Sequence, residues 1–385
     1  MNPVAQPQTQ QKQLFPFLDL HAQFEGIREE VMLALQSVFE NQQFILGPEV
    51  QRFERELAEL VGCRFAIGCA SGSDALALAL MAIGVGVGDE VITTPFTFIA
   101  TAGSIARVGA RPVFVDINPD TYNLDPKEME ALITSRTKAI LPVHLFGLVA
   151  PMDEITAVAR SHDLAVIEDA AQAIGATHDH RSAGSIGNIG CFSFFPSKNL
   201  GGAGDGGMLS TNDSEVADRL RMLRAHGSRT KYHYEYLGLN SRLDTLQAAI
   251  LRVKLRHLVE WTLARRRRAD CYRLLFTQAG LTESIQLPVE PPHCWHVYNQ
   301  FVIRTRHRDQ IREHLSRAGI PTEIYYPLPL HLQPAFSYLE YKAGDFPHAE
   351  SASREVLALP IFPELTEAQQ QSIVGAITDF HRAKE

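Results

Sequence analysis

The chain has 385 residues and a formal net charge of −8, so it lacks the basic surplus that is typical of nucleic-acid-binding proteins. Its five cysteines show no C-x-x-C spacing and its fifteen histidines no H-E-x-x-H pair, which predicts reduced thiols and no metal site. Because no apolar run is long enough to span a membrane and the N-terminus lacks the apolar core of a signal peptide, we expect a cytoplasmic protein without a membrane partner.

Residues 1–13 contain five glutamines and few apolar groups, which predicts a flexible tail. The remaining length is enough for two domains, and we expect a large domain over residues 14–255 and a smaller one over residues 256–385. Two helical patterns lie between residues 15 and 59, and a turn over residues 44–50 separates them.

From residue 64 onward the pattern alternates between strands and helices. Apolar strands are predicted over residues 64–70, 90–95, 112–117, 139–146, 164–168 and 192–195. Helices are predicted over residues 71–84, 97–108 and 152–162. This alternation is typical of an α/β fold with a parallel sheet covered on both faces, in which ligands bind at the carboxyl ends of the strands.

A long helical pattern over residues 245–270 follows, and we expect it to link the two domains. Strands are then predicted over residues 296–304 and 322–326, and helices over residues 308–318 and 367–382. These strands and helices, which follow the long helical pattern, predict a small second domain.

The stretch Cys191 to Gly207, CFSFFPSKNLGGAGDGG, places Lys198 between an apolar strand and a loop with five glycines in seven residues. A lysine crowded in this way loses hydration, which lowers the pKa of its amine and favours Schiff-base chemistry. Taken by itself, the loop is explained better by a surface lysine on a flexible hairpin. Other parts of the chain reverse that preference.

The string ASGSDAL, Ala70 to Leu76, is a strand-to-helix turn rich in small residues. Its backbone N–H groups and hydroxyls can hold a phosphate at the positive end of the helix. The alternative is an ordinary helix cap, since Ser and Asp are favoured there in any case.

Asp169, in VIEDAAQAIG, follows a buried strand, where a carboxylate is costly unless it meets a cation or several donors. A protonated pyridine nitrogen is such a cation, and Gln172 can reach a second edge of the same ring. The alternative is that Asp169 caps a following helix. That alternative explains neither the spacing between Asp169 and Gln172 nor the presence of Lys198. Together with an aromatic ring at Phe98, these groups are the parts that pyridoxal phosphate (PLP) requires.

The order of these motifs resembles the fold type I nucleotide-sugar aminotransferases of the DegT/StrS family, within the aspartate aminotransferase superfamily. The resemblance extends from FLDL, residues 17–20, to PIFPEL, residues 360–365. Its most specific pieces are VIEDAAQ, CFSFFPSKNLG with GDGG, and NSRLDTLQAAIL, residues 240–251. The resemblance implies an α/β fold with a mostly parallel seven-stranded sheet between helices, and a smaller C-terminal α+β domain.

The resemblance also implies roles for individual residues. Lys198 would form the Schiff base with PLP and move the proton, and Asp169 would keep the pyridine nitrogen protonated. The other cofactor contacts that it implies are Gly72, Ser73 and Ser193 at the phosphate, Phe98 on the ring face and Gln172 near the ring hydroxyl. Asn240 would reach the phosphate bound by a neighbouring subunit, which implies a homodimer with shared active sites. Tyr325, Tyr326 and His331, in YYPLPLHLQP, match the region that faces the sugar nucleotide, although ordinary packing of an aromatic loop is an alternative.

The implied activity is transfer of an amino group, with L-glutamate as the expected donor, to a keto sugar linked to a nucleotide diphosphate, for amino-sugar biosynthesis. The YYPLPLHLQP region favours a 3-keto over a 4-keto sugar, and the identity of the sugar and of the nucleotide stays open. One alternative is a PLP-dependent sugar dehydratase, but such relatives replace the lysine with histidine and this chain keeps Lys198. The other is a non-catalytic regulatory or sugar-binding relative, which has no need of Lys198, Asp169 and Gln172 together.

The glycine-rich loop after Lys198 also departs from many relatives at Ala203, where they carry a bulkier residue.

Overall fold

The structure, a computed structural model, describes residues 14–383, so the predicted tail over residues 1–13 lies outside the described residues. Its α-helices are α1 (Leu20–Glu25), α2 (Arg28–Asn41), α3 (Pro48–Val61), α4 (Gly72–Ala82), α5 (Ala100–Arg107), α6 (Met152–Ser161), α7 (Ser214–Leu223), α8 (Thr245–Gln278), α9 (Arg308–Arg317), α10 (Pro347–Glu355) and α11 (Glu367–Arg382). Its strands are β1 (Phe65–Cys69), β2 (Glu90–Thr93), β3 (Arg111–Phe114), β4 (Thr137–Ile140), β5 (Ala165–Asp169), β6 (Thr177–His178), β7 (Arg181–Ser182), β8 (Ile189–Ser193), β9 (Gly207–Thr211), β10 (Ser228–Thr230), β11 (His233–Tyr234), β12 (Cys294–Trp295), β13 (Phe301–Arg304) and β14 (Val356–Leu359).

A seven-stranded sheet in the order β1-β9-β8-β5-β4-β2-β3 forms the centre of the molecule. The strands from β8 to β3 are parallel to one another, whereas β9 is antiparallel to both of its neighbours. The mostly parallel seven-stranded sheet that the resemblance implied is therefore confirmed.

Two helical layers cover the sheet, because successive residues of a strand point to opposite faces. Val166 of β5 belongs to a core built with α3, α6 and α8, and its neighbour Ile167 belongs to a second core built with α4, α5 and α7. Burial on both faces explains why these strands are almost continuously apolar.

The ends of α3 show how local sequence sets the helix boundaries. Pro48 occupies the first turn, where its missing N–H removes no intrahelical bond. Gly62 ends the helix with φ of 78°, a left-handed conformation that favours glycine. The turn predicted over residues 44–50 therefore ends earlier than expected, because Pro48 already belongs to the helix.

Four predicted strands differ from the structure. The one over residues 192–195 is β8, which starts earlier and ends at Ser193, and Phe195 is exposed. Of residues 139–146 only the start is paired in β4, and Leu145–Gly147 forms a short 3-10 helix. Of residues 296–304 only β13 is a strand, and residues 322–326 contribute one isolated bridge between Glu323 and Ala358. Apolar runs predict burial, and residues 141–146 and 296–299 are buried by packing against other elements without a strand partner, whereas residues 322–326 are only partly buried.

The second domain is built on β13 and β14, which pair antiparallel. The last third of α8 supplies Tyr272 and Phe276 to its core, together with residues from α9 and α11. The start of α8 supplies Leu251 to the core against the central sheet, so this one helix contributes to both cores. The boundary at residues 255/256 stays a prediction. Within the described chain, no helix is both long enough and apolar enough to cross a membrane.

Candidate active site

A cavity of about 370 Å³ lies at the carboxyl ends of the sheet strands. Each of five strands that point the same way delivers a lining residue at or just beyond its end: Ser71 after β1, Thr97 after β2, Val143 after β4, Asp169 at the end of β5 and Ser193 at the end of β8. This is the edge at which α/β sheets collect ligands, as the sequence predicted.

Lys198 lines the cavity in the loop that follows β8. Burial lowers the pKa of its amine to about 8, against the opposing effect of the Asp169 carboxylate. Two side chains of α8 hold the glycine-rich part of the loop: Lys254 Nζ donates to the Gly201 carbonyl at 2.8 Å, and Gln247 Oε1 accepts from the Ala203 N–H at 2.8 Å. The loop is therefore anchored to α8.

The lowered pKa predicts an amine that becomes nucleophilic near neutral pH. Because burial disfavours the ammonium form, the neutral amine should dominate above a pH of about 8, whereas an ordinary lysine titrates near 10.4. Trace acetylation of the cofactor-free protein, located by mass spectrometry, should show the reactivity of Lys198 rising to a plateau around that pH. A midpoint above about 10 would contradict the buried environment.

Asp169 is the last residue of β5 and is buried. Its Oδ2 accepts a hydrogen bond from Thr101 Oγ1 at 2.8 Å, and its Oδ1 accepts from the Ala171 N–H at 3.2 Å. Burial raises the pKa of this carboxyl, while the two hydrogen bonds and the Lys198 amine act in the opposite direction. Within the described residues no helix begins directly after it, since residues 171–172 and 174–175 form turns before β6, so the helix-cap alternative is wrong.

Gln172 is held by two contacts. Its Oε1 accepts from the Phe146 N–H at 2.7 Å, and its Nε2 donates to the Tyr326 hydroxyl at 3.3 Å. Burial raises the pKa of the Tyr326 phenol, which therefore stays neutral. These contacts fix the orientation of the carboxamide on one wall of the cavity.

The start of α4 lies at one end of the cavity and has the features of an anion-binding site. Gly72 and Ser73 occupy the first turn, where N–H groups have no intrahelical acceptor and carry the positive end of the helix dipole. Ser193 lies against this turn, and a Cβ on Gly72 would be only 2.6 Å from the Ser193 Cβ. Glycine is therefore required here for the strand and the helix to approach each other.

Aromatic side chains form the remaining wall. Phe98 is 56% exposed and lines the cavity, with its ring centroid 6.4 Å from that of Tyr326. Tyr325 also lines the cavity. Phe98 can therefore cover one face of a planar ligand.

Two predicted site residues do not line this cavity. Asn240 is exposed and follows the β10–β11 hairpin. His331 is buried, its Nε2 lies 3.2 Å from Glu350 Oε1, and its ring packs against Phe346. The roles given to both residues stay predictions.

The sequence reasoning missed Thr101, Asp205 and Gln300. Thr101 holds Asp169, and its Oγ1 lies 3.0 Å from that of Thr97. In the helix predicted over residues 97–108 these two threonines, four residues apart, would share a face, which was an available signal, although α5 begins only at Ala100. Asp205 and Gln300 both line the cavity, and nothing in the local pattern around Gln300 pointed to it.

Outside the cavity, the described part of the chain brings Asp153, His178 and Asp179 together, with potential ligand atoms within 4.8 Å of one another. His178 Nε2 lies 3.2 Å from Asp153 Oδ2 and 3.6 Å from Asp179 Oδ2, and Arg181 forms an ion pair with Asp153. We assign this cluster no metal role, because exposed charged groups form such pairs without a metal.

Comparison with solved structures defines the class of protein. The crystal structure of DesV from S. venezuelae has a TM-score of 0.93 and 44% identity, covering 96% of this chain and 99% of that one. The structure of NtdA from Bacillus subtilis with bound cofactor PMP has a TM-score of 0.88 and 32% identity, covering 98% of this chain and 87% of that one. The fold is that of the fold type I aminotransferases.

Sequence comparison defines the family. The DegT/DnrJ/EryC1/StrS aminotransferase family matches residues 25–378, and the chain belongs to that family. It is 52% identical to a pleiotropic regulatory protein of Geobacillus stearothermophilus, over 95% of this chain and 98% of that protein. It is 48% identical, over the same shares, to UDP-N-acetyl-3-dehydro-alpha-D-glucosamine 3-aminotransferase of Acidithiobacillus ferrooxidans.

Proposed function

We propose that this protein uses PLP to transfer an amino group from L-glutamate to a 3-keto sugar linked to a nucleotide diphosphate. The observation that carries the proposal is the convergence of Lys198, Asp169 and the start of α4 on one cavity. The substrate class is supported by the 48% identity to an aminotransferase of a UDP-linked 3-dehydro sugar. Transfer to such a sugar would serve amino-sugar biosynthesis.

The residues of the cavity fit PLP. The first turn of α4, with the Ser193 hydroxyl, suits the phosphate, because free N–H groups and the helix dipole favour an anion. The buried Asp169 carboxylate has hydrogen bonds from Thr101 and Ala171 but no cation on either oxygen among the described residues, so a protonated ring nitrogen can complete its pairing. Gln172 lies where it can approach the ring hydroxyl.

When bound, PLP supplies an electron sink for the negative charge that develops on the reacting carbon. Asp169 would hold the proton on the ring nitrogen, because its fixed negative charge lies buried at the end of β5. The Lys198 amine, with a pKa of about 8, can take up a proton and return it near neutral pH. Phe98, which lines the cavity, would cover one face of the ring.

The experiment combines the purified protein, PLP and L-glutamate with a panel of UDP- and dTDP-linked 3-keto and 4-keto hexoses. We expect 2-oxoglutarate and an amino sugar to form in equal amounts, fastest with a 3-keto member. Binding of the sugars without turnover would instead indicate a non-catalytic sugar-binding regulator; the relative from Geobacillus stearothermophilus is named a pleiotropic regulatory protein.

We also propose a homodimer whose active sites are shared. The β10–β11 hairpin and the residues after it expose Tyr232 (74%), Tyr234 (62%) and Leu237 (93%). Helix α2 exposes Leu33 (68%) and Phe39 (55%). Apolar and aromatic side chains exposed together are typical of surfaces that meet a partner. Asn240, just beyond the hairpin, would then reach the phosphate of the neighbouring subunit.

Complementation tests the shared site. Lys198→Ala protein and Asn240→Ala protein are mixed under conditions that let subunits exchange. Each mixed dimer would hold one site with both changes and one with neither, so activity should rise above both parents, toward about a quarter of the wild-type value. If activity does not rise although exchange is confirmed by mass spectrometry, Asn240 does not act across the interface.

A further inference from the structure

Asn199, the residue after Lys198, is buried, and its side chain joins parts of the protein that are distant in sequence. Its Nδ2 donates to the Val297 carbonyl at 3.0 Å, and its Oδ1 accepts from Asn299 Nδ2 at 2.8 Å. Because a carbonyl can only accept, Nδ2 has to face Val297, so the orientation of the carboxamide is fixed. Both of its polar atoms are paired in the interior of the protein.

The segment that holds Asn199 is itself bonded to the wall of the cavity that carries Gln172. The Asn299 N–H donates to the Phe146 carbonyl at 3.0 Å, and the Phe146 N–H donates to Gln172 Oε1 at 2.7 Å. Gln172 lines the cavity. A series of hydrogen bonds therefore connects this wall to the residue that follows Lys198.

Close packing leaves this connection little room to move. Gly147 has φ of 101°, and a Cβ on it would lie 2.8 Å from Val297 Cγ2 and 3.1 Å from the Asn299 nitrogen. The same Cβ would lie 3.2 Å from the Gln172 carbonyl oxygen. Three segments thus meet where only glycine fits, so the backbone that holds Asn199 cannot shift without a clash.

The other hydrogen bonds of the loop do not reach this wall. Lys254 and Gln247 hold its glycine-rich part from α8. The Lys198 N–H donates to the Phe195 carbonyl at 2.9 Å, within the same turn. In the part of the chain that the structure describes, the two side-chain hydrogen bonds of Asn199 are therefore the ones that tie the loop to the far wall.

We propose that Asn199 is a positioning residue for Lys198, because its carboxamide fixes the lysine relative to the cavity wall that carries Gln172. This inference rests on the proposed function, in which Lys198 carries the proton. Asn199 does not itself line the cavity, so it acts through the lysine and not on a ligand. Since a misplacement of about 1 Å can cost about 10²-fold in rate, such positioning is of direct use to the reaction.

The surroundings of the Lys198 amine can be measured without cofactor or substrate. Asn199→Leu keeps the branched shape of the side chain, removes both hydrogen bonds and changes no charge. The Asp169 carboxylate, the charge that acts on the amine, stays in place. If the loop loosens, water reaches the amine, and the pKa that burial lowers to about 8 rises toward the ordinary value of about 10.4. In trace acetylation of the cofactor-free protein, we expect the midpoint for Lys198 to rise by at least about one pH unit.

The rates of the holoenzyme give a second readout. Single-turnover absorbance follows the glutamate half-reaction, and then the sugar half-reaction with the panel member that the wild type uses fastest. Because Lys198 would move the proton in both, both rate constants should fall at least about tenfold in Asn199→Leu. The KM values should stay within about twofold. Asn299→Leu breaks the same hydrogen bond from its other end and should shift the midpoint and both rates in the same direction.

The matched control is Gln370→Met in α11. The Gln370 carboxamide is also buried and donates to the Arg268 carbonyl at 2.7 Å, but it does not line the cavity. Its loss should lower the thermal stability and leave the acetylation midpoint and both half-reactions unchanged. Each variant is measured at a temperature at which its unfolding curve shows it to be folded.

The possible outcomes separate the two claims. If Asn199→Leu is less stable but keeps the wild-type midpoint, the asparagine pair only holds the fold, and the positioning role is overturned. An equal shift in Gln370→Met overturns it as well, because any lost buried hydrogen bond would then suffice. If the wild type aminates no member of the panel, the proposed function fails, while the midpoint still decides whether Asn199 places the amine. If Asn199→Leu does not fold, Asn299→Leu is judged by the same criteria.

Discussion

Replacing Lys198 with alanine should abolish transamination while the fold stays intact. The side chain lines the cavity, so its removal leaves no cavity in the core, whereas the reaction loses both its anchor for PLP and its proton carrier. General acid–base catalysis alone contributes about 10²–10⁴-fold, so the total loss should be at least of that order. Amino-sugar formation, measured with saturating PLP, gives the comparison.

The control is Lys138→Ala, which removes an exposed lysine on β4 and should keep full activity. Borohydride should fix PLP covalently to the wild type and to the control but not to the Lys198→Ala protein. Turnover of that protein at near the wild-type rate would show that another group forms the bond to PLP.

Replacing Asp169 with asparagine should cost several orders of magnitude in kcat. The change keeps the shape of the site and can keep the hydrogen bond from Thr101, but it removes the charge that holds the proton on the pyridine nitrogen. That charge acts on the reacting carbon through the ring, in a site where few waters screen it. Steady-state kinetics, together with the PLP absorbance of the variant, measures the loss.

The matched control is Asp218→Asn, an exposed aspartate of α7 that pairs with Arg221 and should leave the rate unchanged. A loss below about tenfold for Asp169→Asn, or roughly 1.4 kcal/mol, would mean that this carboxylate serves the structure of the strand end and not the chemistry.

The spacing of apolar residues, together with the turn and capping residues, was enough to predict most of the helices and strands of the large domain. Residues 71–84 were predicted as a helix because Ser71 can cap it and apolar residues fill it, and α4 begins there with Ser71 Oγ accepting from the Asp74 N–H. The strand predicted over residues 322–326 is absent apart from one bridge, because the same apolar signal describes a strand and a partly buried loop equally well. Only a partner strand distinguishes the two, and partners are distant in sequence.

The residues of the candidate site also fall into two groups, those that a local motif predicted and those that only the folded structure identified. Lys198, Asp169 and Gly72 stand in local motifs whose spacing reflects a strand end, a helix start or a tight loop, so the order of residues alone pointed to them. The hydrogen bond from Thr101 to Asp169 joins residues 68 positions apart, and the side chain of Asn199 is held by residues 98 and 100 positions away. Burial, pairing and desolvation are properties of the packed chain, and no local pattern encodes them. The lowered pKa of Lys198 was predictable in direction from its crowded loop, but its value of about 8 depends on how deeply the folded protein buries the amine.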